Sequence, residues 1–510
     1  MAILGSIIKA AIDLRGALVS ESDPAESQRE VLIELLEKAQ NTAFGKYYGF
    51  SEILKADNIT KSFAEKVPYF DYHQMEEEWW CKTQEGIEDI AWPGKPPFFA
   101  ISSGTTGKKS KRIPVTNEMI EAIRTTGIKQ VGALSNFELD SDFFEKEIMM
   151  LGSSTNLQEN GDFLQGEISG ISASQLPFWF RGYYKPGEEI ALMEDWDQKV
   201  ETIAKNAKNW DIGALSGIPS WMELMLKKVI DYHQVETIHD IWPNLQIYAS
   251  GGVAFQPYEK SFNELLARPI TVIDTYLASE GFLAYQNRPD TDAMKLATDN
   301  GIYFEFVPFK PEYINEDGSI FQGAPSLTIA EVEPNIDYVL LISTVSGAWR
   351  YLIGDTVAFT DVEKGEIKIT GRTKFFLNVV GSQLSVNKME TALCEMEEEF
   401  DIKIPEFTLA AVKVDGEFYH HWYLGSEAII ATEKIASALD QALKNANKNY
   451  EVARSKALKG IKVNIVDPTV FHEWNAKQKK KGGQVKMEKV MGEERFREWE
   501  NFVNSFSPRE

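Results

Sequence analysis

One segment rich in glycine and hydroxyl groups constrains the fold of this chain more than any other feature. The segment SSGTTG, residues 102–107, follows the apolar run PPFFAI, and four of the next five residues are basic. A helical pattern, NEMIEAIRTTGIKQVGAL, begins at Asn117. Small hydroxyl residues between glycines suit a loop whose backbone N–H groups approach an anion closely. Strand, loop and helix in this order predict a phosphate-binding loop before a helix.

The loop is not the P-loop of nucleoside triphosphatases. Gly104 is followed five positions on by Lys109, and not by the Gly-Lys-Ser/Thr that the P-loop requires. We predict that the loop binds a triphosphate through its hydroxyl and N–H groups and through the ammonium of Lys111. A plain Gly/Thr turn is the alternative for the loop taken alone.

Composition excludes several classes of function. The 510 residues include 77 acidic and 53 basic residues, and this net charge of -24 disfavours sequence-independent binding to nucleic acid. The two cysteines, Cys81 and Cys394, support neither a disulfide framework nor a zinc site, and the six histidines show no metal-ligand spacing. Because no stretch of about 20 residues is continuously apolar and uncharged, we expect no membrane span. We expect a cytoplasmic enzyme that is a monomer or a weak oligomer.

The patterning along the chain predicts an α/β fold in two domains. The middle third alternates strand-like and helical runs, which favours α/β sheet layers. From IYFEFVPF onwards the chain is rich in strands, which predicts a β-barrel-like or antiparallel layer. The end of the chain contains a hairpin, FTLAAVKVDGEFYHHWYL, followed by helical and strand-like runs. We predict a large N-terminal domain, residues 1–373, and a small α+β C-terminal domain, residues 374–510.

Three later segments carry groups suited to other parts of a nucleotide. Gly251 and Gly252, in YASGGV, let a flat base lie against the backbone. In TYLASEG, Tyr276 offers a ring for stacking adenine, and Glu280 offers a carboxylate for Mg²⁺ beside phosphates. Asp355, in RYLIGD, can accept both ribose hydroxyls. Taken singly, these residues also fit a turn, a core tyrosine and a surface carboxylate.

Together, in this order and followed by GRTKFF, the four segments resemble the core motifs of the acyl-adenylate-forming superfamily of acyl-CoA ligases, luciferases and peptide-synthetase adenylation domains. Three details narrow the resemblance: the loop pattern S-S-G-T-T-G-x-x-x-K, LSGIPSWM before YASGG, and GGQVK near the end. With these details, the chain resembles a bacterial member of the Gretchen Hagen family, the auxin-responsive acyl-acid amido synthetases of plants. The resemblance covers most of the chain and implies ATP and Mg²⁺ as cofactors.

The resemblance also implies roles for single residues. Lys486, in GGQVKMEKV, matches the catalytic lysine that enters the site from a mobile C-terminal domain. Lys489 is the alternative, because plant members follow that lysine with Pro-Arg and this chain does not. Glu280 is expected to assist Mg²⁺ and phosphate during catalysis. The nucleotide-binding residues implied are Ser102, Ser103, Gly104, Thr105, Thr106, Lys111, Gly251, Gly252, Tyr276, Asp355 and Arg372.

The acyl pocket is less well defined by the sequence. The candidates for its lining are Ile218, Pro219, Trp221 and Met222, in SGIPSWMELML, with residues near Gly127. A buried helix start is the alternative interpretation of that segment. Plant members bind the substrate carboxylate with an arginine in the helix after the loop. Counting from the loop reaches Lys129 and Gln130 here, so the carboxylate-binding residue stays open.

The expected function is therefore ATP-dependent activation of a small carboxylic acid as its acyl-adenylate, followed by amide formation with an amine. An amino acid is the favoured amine. Two alternatives remain from the sequence: an acyl-CoA ligase with a thiol acceptor, and a nucleotide-binding regulator without catalysis.

Overall fold

The computed structural model describes most of the chain. The described residues are 23–102, 111–176, 180–252, 255, 258–310, 312–315, 318–373, 376–377, 384–414, 417–428, 430–446, 450–451, 454, 458–477 and 487–506. Within these ranges no helix is both long and apolar enough to cross a bilayer.

Several helices of the described residues begin at a side-chain cap. Helices α1 to α16 are Pro24–Ala39, Ala43–Tyr47, Phe50–Ile53, Ile59–Lys66, Tyr72–Met75, Cys81–Gln84, Asn117–Ala133, Ile168–Ser174, Glu188–Ala191, Trp196–Asn206, Pro219–His233, Glu259–Asn263, Val386–Phe400, Thr432–Ala446, Pro468–Lys477 and Glu493–Ser505. A π-helical turn, Glu76–Trp80, joins α5 to α6. The Thr116 hydroxyl accepts the Met119 N–H and so caps α7, and Pro219 opens α11, where its missing N–H has no cost.

The strands fall into four sheets. Strands β1 to β20 are Phe98–Ser102, Lys111–Val115, Glu147–Leu151, Gln158–Asn160, Phe163–Gly166, Tyr184–Lys185, Ile212–Gly217, Ile247–Gly251, Thr271–Ala278, Gly281–Tyr285, Met294–Leu296, Ile302–Pro308, Asp337–Thr344, Tyr351–Asp361, Glu366–Arg372, Phe376–Leu377, Leu384–Ser385, Glu406–Val414, Glu417–Gly425 and Leu458–Val466. A four-stranded sheet has the order β2-β1-β5-β4, and β16 pairs with β17.

The central sheet has eleven strands in the order β12-β13-β14-β15-β11-β10-β9-β8-β7-β3-β6. The pairs from β6 to β9 are parallel, and helices α10 and α11 pack on this part. The pairs from β9 to β12 are antiparallel. The predicted α/β fold is confirmed. The strand-rich stretch, for which the sequence allowed a barrel-like or an antiparallel layer, forms the antiparallel half of this sheet.

The C-terminal part has its own small sheet, β18-β19-β20, covered on both sides. Successive strand residues point to opposite faces. Thus Trp422 packs in one core with helices α13 and α14, and Tyr423 packs in another with α15 and α16. This arrangement agrees with the expected α+β unit, and the boundary at residue 373 stays a prediction.

Candidate active site

One cleft of about 2580 Å³ lies at the carboxyl ends of the parallel strands. Its wall includes the residues that end or follow β3, β7, β8 and β9, among them Gly152, Ile218, Gly251 and Glu280. The C-terminal part contributes residues of α13 and the segment 487–492. Open α/β sheets bind ligands at this edge, so the cleft is the candidate active site.

Three residues that the sequence predicts to bind nucleotide meet at one place in this cleft. The Tyr276 hydroxyl donates a hydrogen bond to one carboxylate oxygen of Asp355, and Arg372 Nε donates to the other over 2.7 Å. Tyr276 lies on β9, while Asp355 and Arg372 are cross-strand partners on β14 and β15. Asp355 is only 6% exposed. A buried charge needs such partners, and the Asp355 carboxylate in turn raises the pKa of Arg372.

Glu280 lies in the turn between β9 and β10 and lines the same cleft. Burial raises the pKa of Glu280, and the nearby charge of Lys111 opposes that shift. In the part of the chain that the structure describes, no group of three His, Cys, Asp or Glu could hold a metal ion.

The two residues that flank the predicted phosphate loop, Ser102 and Lys111, lie at the cleft. Ser102 and Lys111 are cross-strand partners at the open end of the β1–β2 pair, and both line the cleft. The predicted loop residues Ser103, Gly104, Thr105 and Thr106 lie outside the described residues. The register of β1 and β2 thus positions both ends of that loop beside the site.

The glycine pair after β8 allows close approach of the backbone. Gly251 pairs with Thr275 on β9, and a Cβ atom at Gly251 would lie 2.5 Å from the Thr275 hydroxyl oxygen. Gly252 has a φ of 83°, in the left-handed region that favours glycine. Both glycines line the cleft, as the prediction of a base lying on them requires.

The four acyl-pocket candidates divide between cleft and core. Ile218 and Trp221 line the cleft, and the Trp221 ring packs edge-on against Trp196. Pro219 and Met222 are buried and do not line it. The reason is helical geometry, since neighbouring positions of α11 point in different directions. Met222 belongs to the core between α11 and the parallel strands.

Arg124 is a cation of the cleft wall that sequence analysis missed. Arg124, on α7, lines the cleft, and its Nη2 donates to the Gln175 carbonyl over 3.1 Å. Arg124 Nη1 also forms an ion pair with Glu121 on the same helix, and Lys129, which the position count reached, forms one with Asp299 at 2.7 Å. A search of the predicted helix for any arginine would have found Arg124, because it stands in NEMIEAIRTTG.

A carboxylate on β9 was also missed. Asp274 lines the cleft two residues before Tyr276, so both side chains project from the same face of the strand. Burial, followed by the charge of Asp292, raises the pKa of Asp274 to about 6. The strand alternation around Tyr276 was the signal that could have identified it.

Of the two candidate catalytic lysines, Lys489 lies within the described residues. Lys486 lies outside the described residues. Lys489 Nζ lies 2.7 Å from Glu406 Oε2 and 4.6 Å from the centre of the Phe407 ring. Tyr258, from the large N-terminal part, donates to the other oxygen of Glu406 over 3.3 Å. Lys489 thus forms its ion pair where the C-terminal part contacts the large N-terminal part.

Comparison with known families identifies the chain. The GH3 family N-terminal domain matches residues 18–188 and 165–269, the central domain matches residues 295–372, and the C-terminal domain matches residues 386–495. The chain belongs to the GH3 family. Relatives include the indole-3-acetic acid-amido synthetase GH3.4 of Arabidopsis thaliana, 23% identical over 88% of this chain and 86% of the relative. The jasmonoyl-L-amino acid synthetase JAR4 of Nicotiana attenuata is 21% identical over 89% and 88%.

Solved structures of GH3 and acyl-CoA ligase proteins share the fold. The GH3.15 acyl acid amido synthetase superposes with a TM-score of 0.77 at 15% identity, covering 98% of this chain and 96% of that one. A 2-hydroxyisobutyryl-CoA ligase superposes with a TM-score of 0.57 at 12% identity, covering 94% and 92%. The expected family, fold and classification as an adenylate-forming amido synthetase are confirmed. A bacterial origin is not tested by these comparisons.

Proposed function

We propose that this GH3 protein uses ATP to activate a small carboxylic acid as its acyl-adenylate and then joins the acyl group to the amine of an amino acid. One observation supports the proposal most directly. Tyr276, Asp355 and Arg372 converge in a cleft at the sheet edge, beside the ends of the Gly/Thr loop. Membership in a family with amido synthetases among its curated relatives supports the amide-forming step.

ATP is proposed to bind at the end of the cleft that contains Asp355. Each carboxylate oxygen has two lone pairs, so Asp355 can keep its bonds to Tyr276 and Arg372 and still accept from ribose hydroxyls. The Tyr276 ring and the Gly251-Gly252 backbone then border adenine. Ser102, Lys111 and the loop between them are proposed to bind the phosphates.

Mg²⁺ is proposed to arrive with the nucleotide. Mg²⁺ sites often combine one or two carboxylates with substrate phosphates, and Glu280 is a single carboxylate at the phosphate end of the cleft. Glu280 therefore fits as the one protein ligand, where the ion would supply positive charge beside the phosphates.

The acid is proposed to bind with its carboxylate at Arg124. Apolar residues of α7 and α11, including Ile123 and Trp221, provide the surface for its body. The carboxylate oxygen attacks the α-phosphorus, and pyrophosphate leaves. Lys486 is proposed to stabilise the charge that develops on the phosphoryl oxygens. Holding both reactants in one cleft contributes by orientation.

The second step is attack by the amine on the acyl carbon, with AMP leaving. We propose that the small C-terminal domain, residues 374–510, turns about a hinge near residues 372–374 between the two steps. A cytoplasmic location and a monomeric or weakly associated state are further proposals, based on composition alone.

A two-stage assay tests this function. Purified protein with ATP and Mg²⁺ is first screened for pyrophosphate release across a panel of carboxylic acids. With an acid that responds, CoA and a mixture of the twenty amino acids are then offered in separate reactions. We expect mass spectrometry to show an N-acyl amino acid and no thioester. A thioester formed at a comparable rate would favour the acyl-CoA ligase alternative. If none of the acids causes pyrophosphate release, the non-catalytic regulator is favoured.

A further inference from the structure

A loose ion pair lies in the part of the cleft wall that the C-terminal part contributes. Glu488 Oε2 lies 3.9 Å from Arg495 Nε, and both residues line the cleft. The two side chains are 16% and 32% exposed, so both charges are accessible to a ligand. The separation of these two atoms is too long for a hydrogen bond. Each group can therefore take a further partner of opposite charge from the cleft.

Contacts within the C-terminal part hold the Arg495 guanidinium in place. It lies 4.7 Å from the centre of the Trp474 ring, and its Nη1 donates to Glu498 Oε2, on the same helix, over 2.7 Å. A guanidinium carries five N–H donors in a planar fork that matches the geometry of a carboxylate. Arg495 can therefore keep both contacts and still donate to the carboxylate of a ligand.

Glu488 supplies the opposite charge beside Arg495. Its backbone is held against β18, because the Thr408 hydroxyl donates to the Glu488 carbonyl over 2.8 Å. Burial raises the pKa of Glu488 to about 7, and the charge of Arg495 opposes that shift only in part. A second cation close to the carboxylate would favour its charged form. An ammonium group is the cation that an amine substrate brings.

A free amino acid carries both of the charges that this pair can bind. Its carboxylate and its ammonium are attached to one carbon, so both can reach two protein groups whose nearest charged atoms are 3.9 Å apart. We propose that Glu488 and Arg495 bind the acceptor as a free α-amino acid, with its ammonium at Glu488 and its carboxylate at Arg495. The inference rests on the proposed function and adds a requirement to it, which is a free carboxylate beside the reacting amine.

An amino acid and its own α-amide test this requirement, because the two share the amine and the side chain. The amino acid that the two-stage assay identifies is compared with its amide, for example leucine with leucinamide, by mass spectrometry of the N-acyl product. We expect wild-type protein to prefer the free amino acid by about tenfold or more in kcat/KM, since the amide loses a hydrogen bond between charged groups. Arg495→Gln should reduce this preference to about twofold or less.

Glu488→Gln should act differently from Arg495→Gln. Both acceptors carry the ammonium, so we expect kcat/KM to fall by about tenfold for the amino acid and its amide alike. Arg497→Gln and Glu493→Gln make the same chemical changes in an exposed ion pair on α16. Neither of these controls should alter the preference or the rate.

The ratio of the two acceptors separates recognition from folding, because a folding defect lowers both rates together. Arg495→Lys, which keeps the charge but not the planar fork, should retain part of the preference. Equal use of both acceptors by wild-type protein, or an unchanged preference in Arg495→Gln, would overturn the inference. A raised KM for ATP with an unchanged preference would assign Arg495 to the nucleotide instead. Pyrophosphate release without an amide product from any of the twenty amino acids would overturn the proposed function itself.

Discussion

Arg372 Nε lies 2.7 Å from Asp355 Oδ1, across the β14–β15 pair. The second oxygen of Asp355 accepts the hydroxyl of Tyr276, which comes from β9. The Asp355 carboxylate on β14 thereby links β15 to β9, although β11 and β10 lie between those two strands in the sheet. Its position is fixed by these bonds before any nucleotide binds, which is the preorganisation that tight binding requires.

Asp355→Ala is expected to weaken ATP binding. The ribose hydroxyls would lose a charged acceptor, and bonds to charged groups are worth roughly 1.5–3 kcal/mol each. Calorimetry of ATP binding, with a thermal melt beside it, measures the effect. An unchanged Kd in a folded variant would remove Asp355 from the nucleotide site.

Lys486→Ala is expected to abolish adenylation while ATP affinity stays nearly intact. Its ammonium is proposed to act on charge that develops only in the transition state. Lys489→Ala should be milder, because Lys489 already pairs with Glu406. Both variants are compared for acid-dependent pyrophosphate release. If only Lys489→Ala is inactive, the catalytic lysine has been assigned to the wrong position.

Arg124→Gln is expected to raise KM for the acid by about tenfold or more, since a hydrogen bond to a charged group contributes roughly 1.5–3 kcal/mol. The Kd for ATP should not change. Lys129→Gln is the matched control on the same helix, because Lys129 pairs with Asp299. Equal KM values for Arg124→Gln and wild-type protein would exclude Arg124 as the carboxylate-binding residue.

His420 is expected to make the protein less stable in acid. It is fully buried, neither ring nitrogen has a hydrogen-bond partner, and burial lowers the pKa of His420 to about 3. An unfolded histidine has a pKa of about 6.5, so between these values only the unfolded chain takes up the proton. The free energy of unfolding should therefore fall as the pH falls from about 6.5 towards 3.

Urea unfolding of His420→Leu and wild-type protein across this pH range measures the effect. We expect the variant to lose part of the acid dependence, while His73→Asn, a change at an exposed histidine, should keep it. A wild-type slope in His420→Leu would show that other groups cause the acid dependence.

The residues proposed for the nucleotide end of the site could be selected from the sequence because they stand in short, ordered segments. Tyr276 and Asp355 were each identified from the few residues around them, and the structure places them in hydrogen-bonding contact. What no local pattern contains is the strand pairing that makes Arg372 the partner of Asp355. The continuity of the eleven-stranded sheet is likewise a result of long-range pairing.

The acyl end was harder to predict, because the phase of a helix relative to a cleft depends on tertiary packing. Met222 and Trp221 are neighbours in sequence, yet one faces the core and the other the cleft. Arg124 was missed because counting from the loop assumes the same spacing as in plant members. Helix α7 begins only after the β2 strand, so such a count gives no reliable position.

Under the proposed rotation of the C-terminal domain, Glu406 affects how the molecule divides between its two arrangements. It accepts from Tyr258 of the large part while holding Lys489 of the small part. A rotation that separates the parts breaks the hydrogen bond between Tyr258 and Glu406 and exposes the phenol to water, and the net worth of such a bond is about 0.5–1.5 kcal/mol. That amount corresponds to a bias of roughly two- to tenfold between arrangements. In that proposal the population of the docked arrangement, and not only the chemistry in the cleft, depends partly on one tyrosine of the cleft wall.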